Sequence, residues 1–206
     1  MNFFRRILEK PWLPQDETVV EMRTGYFAVH NRKVALVLFL CIVGILFFLL
    51  FVAYHMRLGM GTDWVSTPEP PLLWINTLVL IVVSVVFEWS RSAISNGDLK
   101  AGKLRYIFVG FLTLVFLVLQ LVVWQQLLDY GYAARANPSN AFFYMITAVH
   151  GIHLLGGLIA WARTYRRFQL EEQNQASVKL GVDLCALYWH FLLFVWIVML
   201  ALFIST

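Results

Sequence analysis

Between Ala141 and Trp161 the chain reads AFFYMITAVHGIHLLGGLIAW, twenty-one residues with no formal charge and two histidines three positions apart. At about 1.5 Å per residue, a helix of that length crosses the ~30 Å hydrocarbon layer of a bilayer. A polar side chain at such depth costs about a few kcal/mol unless it meets protein, so His150 and His153 are expected to point at neighbouring helices. The small residues agree. Thr147 with Gly151, and Gly156 with Ala160, form small-xxx-small pairs that let a second backbone come close, and Gly157 widens the same groove.

Four further segments have this character. Apolar runs at about 34–56, 71–94, 104–128, 141–162 and 182–204 predict an all-α, polytopic membrane bundle of five transmembrane helices behind a tail over 1–33. The 206 residues are 60% hydrophobic and 14% charged, whereas soluble domains carry about 25% charged residues. The loops are too short to fold as separate domains, and no repeat or Gly-rich phosphate loop interrupts the pattern. Loop 57–70 and the stretch Ala136 to Asn140 carry turn and capping residues. Trp12, Trp64, Trp74, Trp89, Trp124 and Trp161 fall near the ends of the spans, as an aromatic belt requires.

Lys and Arg fix the expected orientation. Arg5, Arg6, Lys10, Arg23, Arg32 and Lys33 lie in the tail; Arg91, Lys100, Lys103 and Arg105 flank the second loop; Arg163, Arg166, Arg167 and Lys179 flank the fourth. Only Arg57 and Arg135 lie on the other side. That asymmetry predicts the N-terminus inside and the C-terminus outside. It also accounts for the net charge of +4 without a nucleic-acid partner. The first residues, MNFFRRILEKPWLPQDE, lack an apolar run of signal-peptide length, so the tail is expected to be retained. Phe3, Phe4, Ile7 and Leu8 share one side of a short helix that Pro11 and Pro14 would stop, a pattern for a segment on the membrane surface or a solvated one.

The polar groups inside the spans are few. Counting from opposite sides places His153 roughly 18 Å down and His190 roughly 12 Å up, at one level in a ~30 Å layer. They either face a shared polar seam or bond separately. Five histidines, His30, His55, His150, His153 and His190, leave room for at most one bis-histidine haem, and the bland reading is packing. Glu88 near the inner end of the second span and Asp183 at the start of the fifth read as interface carboxylates paired with a loop Arg, or as a proton relay. Asp183 also suits a helix N-terminus, where the dipole favours negative charge. Gln120 reads as a helix-to-helix hydrogen bond. Cys41 and Cys185 lie within spans far from any CxxC spacing and read as packing residues. No nucleophile with a base is visible.

Several stretches resemble subunit III of the haem-copper cytochrome oxidases. Phe143, Tyr144, Thr147, His150, Gly151, His153 and Gly157 match an FYxxTGxHGxHxxxG-like segment, with Ala148 in place of its usual glycine. Tyr188, Trp189, His190, Phe191 and Trp196 match a YWHFxDxxW-like segment, and Asp183 matches an acidic residue seven before its histidine. PPLLWINTLVL is similar to the family's PLLNT-type helix start, with Asn76 and Thr77 in place; Trp89, Gly97, Asp98, Lys100 and Gln120 also fall where related sequences have them. The resemblance is specific from Pro70 onward and weak before it.

The resemblance implies the five-helix bacterial form of this subunit, in the bacterial cytoplasmic (inner) membrane, with no cofactor or redox centre in this chain. Haem and copper are expected in the partner catalytic subunits. It further implies packing against catalytic subunit I, with subunit II in the same complex, and binding of phospholipids. Support of proton uptake and durability of the active site during turnover are also implied. Two departures bear on proton uptake: Ile42 or Gly44 stands where the family has a buried glutamate, and Leu193 stands where it has an aspartate. An accessory subunit of a nitric oxide reductase is the alternative within the wider family. A small b-type cytochrome or a transporter is the alternative from another class, although no inverted repeat with broken helices is visible.

Overall fold

The computed structural model describes the backbone of residues 17–60, 64, 70–170 and 175–205, with side chains from residue 31 onward, 170 and 175 excepted. Five helices follow one another: α1 Glu17–Met60, α2 Leu72–Ser95, α3 Leu99–Asp129, α4 Pro138–Leu170 and α5 Gln175–Ile204. Each contains a stretch long and apolar enough to cross a membrane: Asn31–Met60, Leu72–Ser95, Leu99–Asp129, Pro138–Gln169 and Ala176–Ile204. No strand occurs among the described residues.

Most of the helices overrun the apolar runs read from the sequence. At 31 residues, α3 is about 46 Å long, well beyond the ~30 Å hydrocarbon layer. Charge marks where the oil ends and not where the helix ends. Lys100, Lys103, Arg163, Arg166, Arg167 and Lys179 are helical, because Lys and Arg are good helix formers whose long stems keep the charge in the headgroup zone. Residues 17–33, read as tail, likewise belong to α1. The Phe3, Phe4, Ile7 and Leu8 segment lies outside the described residues.

The chain divides into two units, Met1–Leu38 and Phe39–Thr206. In the first, the described part is helical, and Arg32, Lys33, Val34, Val37 and Leu38 are exposed. In the second, α2 and α3 form a tight hairpin. Gly97 turns the chain at φ 85°, a region other residues rarely adopt. The Asp98 side chain then caps α3 by accepting from the Ala101 N–H at 3.0 Å. Ser90 donates to the Gly102 carbonyl at 2.8 Å, and a Cβ on Gly102 would run into the Ile94 side chain, so the two helices touch there.

The helices α2, α3, α4 and α5 close a ring in which each packs on the next and α5 packs back on α2. Two tryptophans of α5 fill its centre. The Trp189 indole donates to Thr113 Oγ1 on α3 at 3.2 Å, and the Trp196 indole donates to Thr77 Oγ1 on α2 at 2.9 Å. Phe87 lies 5.5 Å from the Trp189 ring and Phe116 lies 5.0 Å from the Trp196 ring. Hydrocarbon offers helices no hydrophobic drive to associate, so close packing and interhelical hydrogen bonds of this kind hold such a bundle together. From residue 39 onward, α1 lies along α4 and α5, with Phe47 5.6 Å from the His153 ring and Phe39 stacked 6.3 Å from Tyr188.

Candidate functional site

Where α2 meets α5, five polar side chains join in one line. Arg91 Nε donates to Asp183 Oδ1 at 2.6 Å, and its terminal nitrogen lies 3.5 Å from Glu88 Oε1. The same Glu88 oxygen is 2.8 Å from His190 Nε2, while His190 Nδ1 is 2.6 Å from Ser84 Oγ. An ionised carboxylate only accepts, so Nε2 carries the proton toward Glu88; in the neutral ring Nδ1 then accepts from the Ser84 hydroxyl. The hairpin fixes the α2 side of this line. Arg105 on α3 donates to the Trp89 carbonyl at 2.9 Å, holding the last turns of α2 in the rotation that aims Glu88 and Arg91 at α5.

A second set of polar groups lies inside the ring. Asn76 Nδ2 donates to Gln120 Oε1 at 2.8 Å, joining α2 to α3, and both side chains are buried. His150 is wholly buried among Phe47, Phe116 and Trp196, whose ring centres lie 6.2, 6.3 and 5.2 Å away. Neither of its nitrogens has a hydrogen-bond partner among the described residues. Tyr188 donates to the His153 carbonyl at 2.8 Å, and His153 Nδ1 donates to the Val149 carbonyl of its own helix, also at 2.8 Å. Between α3 and α4 an apolar groove of about 320 Å³ runs past Gln120, Leu121, Trp124, Ala148, Gly151 and Ile152.

Several sequence expectations change in the light of this geometry. His153 and His190 share no seam: one bonds to its own backbone and the other to α2. Depth counting gives a residue's height along the membrane normal but not its angle around the helix. The small residues of α4 also divide. A Cβ on Gly157 would stand 2.7 Å from Tyr188 and 3.0 Å from Trp189, so close approach is used there, whereas Gly151 and Gly156 have open space around them. Cys41 is exposed while Cys185 is buried. Asp183 sits two turns inside α5, where it meets Arg91 and not the helix terminus.

Sequence reasoning missed Ser84, although it stands four residues before Glu88 and so on the same helix face. It also missed Thr113, whose hydroxyl is bonded by Trp189 and itself donates to the Val109 carbonyl at 2.9 Å. Nothing in its local pattern separates it from other small residues of an apolar span.

The fold and these sites define a multi-pass helical membrane protein whose intramembrane polar groups mostly serve one another. Among the described residues no three His, Cys, Asp or Glu side chains come together as a metal site. Residues 17–206 match the family model for cytochrome c oxidase subunit III. Cytochrome c oxidase subunit 3 of Thermostichus vulcanus is 30% identical over 174 residues, covering 83% of this chain and 85% of that protein. The protein of that name from Synechocystis sp. is 30% identical over 179 residues, covering 83% and 74%. A probable cytochrome c oxidase subunit 3 of Mycobacterium bovis is 27% identical over 147 residues, covering 70% and 72%. The chain therefore belongs to the cytochrome c oxidase subunit III family, a haem-copper oxidase subunit distinct from the catalytic one.

Proposed function

We propose that this chain serves a respiratory haem-copper oxidase of the bacterial cytoplasmic membrane as a subunit without redox chemistry of its own. It buries helix surface and phospholipid against catalytic subunit I, in a complex with subunit II, and so limits local opening around the active site. There, oxygen is reduced to water with cytochrome c as donor while protons move outward. Haem and copper are held by the partner subunits. Asn76, Gln120, His153, Tyr188, Trp189, Glu88, Asp183 and His190 act as the bundle's structural polar contacts, His150 packs among the rings at its centre, and the chain as a whole supports proton uptake by the complex.

One observation carries this reading: most of the polar side chains inside the spans, His150 and His153 excepted, are used to join helices of the chain itself. Trp189, Trp196, Asn76 and Gln120 all bond between helices, and His190 has both ring nitrogens engaged by protein. The distribution of Lys and Arg supports an inside N-terminus and an outside C-terminus. The groove between α3 and α4 suits phospholipid acyl chains, being lined almost wholly by apolar atoms. The test is the oxidase purified with and without this chain. Initial activity is expected to be equal and inactivation during turnover faster without it; equal turnover lifetimes would contradict the proposal.

A further inference from the structure

The line Ser84–His190–Glu88–Arg91–Asp183 lies on the outside of the ring. Side-chain exposure is 48% for Glu88, 46% for Arg91, 35% for His190 and 32% for Asp183. Its depth makes this exposure informative. Ser84 stands at the middle of α2, Leu72–Ser95, and His190 at the middle of α5, Gln175–Ile204. While Glu88, Arg91 and Asp183 step toward the C-terminal end of α2, the two helices counted independently place the Ser84–His190 end of the line deep within both apolar spans. Hydrocarbon offers no hydrogen bonds there. Arg91 has a stem long enough to reach toward the headgroups, but His190 is held on both sides, by Glu88 and Ser84, and cannot follow.

Around the line the surface is apolar and open. Leu78, Ile81 and Val85 of α2 and Leu187, Phe194 and Ile197 of α5 are all exposed, the last three in the same stripe as Asp183 and His190. Two carboxylates face one guanidinium, and His190 supplies at most one further positive charge. Each carboxylate oxygen accepts more than one hydrogen bond, so Glu88 retains acceptor capacity directed outward. Such a surface fits a cover that is apolar over most of its area and brings N–H or O–H donors to the level of Glu88.

We propose that the α2–α5 face, with this polar line along it, docks against a membrane-embedded protein surface that presents hydrogen-bond donors to Glu88 and Asp183. On the function proposed above, on which the partner's identity rests, that surface belongs to the catalytic subunit. Lipid covers the α3–α4 side, where exposed Leu121, Ile152 and Leu155 surround the groove and need no polar partner.

The test uses the assembled complex in native membranes. The photo-crosslinking residue benzoylphenylalanine is placed singly at Val85, Leu187, Leu121 or Ile152, all exposed positions, so the bundle core is left intact. Adducts with a haem-containing partner are expected from Val85 and Leu187, several-fold above those from Leu121 and Ile152. A haem-containing partner joined only from Leu121 or Ile152 overturns the docking face and leaves the oxidase function standing. A partner lacking haem and copper, joined from Val85 and Leu187, keeps the face and sinks the function. Adducts from Val85 and Leu187 confined to a second copy of this chain, to its own residues 1–30 or to lipid overturn the inference. As a second variant, Glu88→Leu is expected to reduce co-purification of the partner several-fold in detergent without changing the melting of the isolated chain; unchanged co-purification would count against the docking face.

Discussion

The seam between α2 and α5 and the seam between α3 and α4 lie on opposite sides of one four-helix ring, yet they expose different chemistry. Along α2 and α5, a polar line of five side chains, four of them ionisable, is left partly exposed with its Ser84–His190 end deep in the spans. Along α3 and α4, the surface is apolar around the groove, and the polar Gln120 beneath it is turned inward to Asn76. Both seams are built from helices of similar hydropathy, so the difference is not one of membrane insertion. It teaches that the two faces are shaped for different neighbours: hydrocarbon suffices for one and leaves the other unsatisfied.

This contrast can be broken most forcefully from the centre, which both seams share. Trp196 is almost wholly buried, bonds Thr77 and touches Phe116 and His150. Trp196→Ala is expected to lower stability by about 3–5 kcal/mol, as for other large buried aromatics. Thermal unfolding of the detergent-solubilised chain reads this, and a change below 1 kcal/mol, on the order of an exposed substitution, would show that the core is not where the model of packing puts it.

Glycine substitutions on α4 sharpen the comparison next. Gly157→Ala drives a methyl into Tyr188 and Trp189 and should lower stability by about 1–3 kcal/mol through overpacking. Gly156→Ala meets open space and should be neutral or slightly stabilising, since alanine favours the helix by about 1 kcal/mol. The two melting temperatures should therefore move apart; equal losses would mean that Gly156 is as crowded as its neighbour.

The Asn76–Gln120 pair comes third. Either Asn76→Leu or Gln120→Leu leaves a buried amide without its partner, at about 1 kcal/mol each. The double variant should lose less than the sum of the two, and strict additivity in the double-mutant cycle would deny the hydrogen bond. The smallest effect belongs to the half-open seam. Glu88→Gln in the isolated chain should change stability by less than about 1 kcal/mol, because exposed ion pairs contribute little. A larger loss would show that the polar line holds the bundle itself together.

Much of this architecture was legible from the hydropathy pattern, because a run of about 20 apolar residues spans hydrocarbon as a helix and five such runs stand out between charged loops. The helix ends were not, since a headgroup-level lysine such as Lys103 or Lys179 breaks hydropathy without breaking the helix. Glu88, Asp183 and His190 were each singled out in the sequence, but nothing joined them. Joining them requires knowing that α2 and α5 are neighbours and at what rotation. That rotation is set by contacts far apart in sequence, among them Trp196 with Thr77 and Arg105 with Trp89. For His190, height was readable and direction was not, which is why counting alone brought it to His153 instead of Ser84.

The claim that the two seams have different neighbours is tested most directly by a nitroxide spin label at Leu187, with a second at Ile152, measured in lipid nanodiscs before and after assembly with the partner subunits. Collision with dissolved oxygen, which concentrates in hydrocarbon, should fall several-fold at Leu187 on assembly and stay constant at Ile152. Unchanged oxygen access at Leu187, or a fall confined to Ile152, would contradict the account.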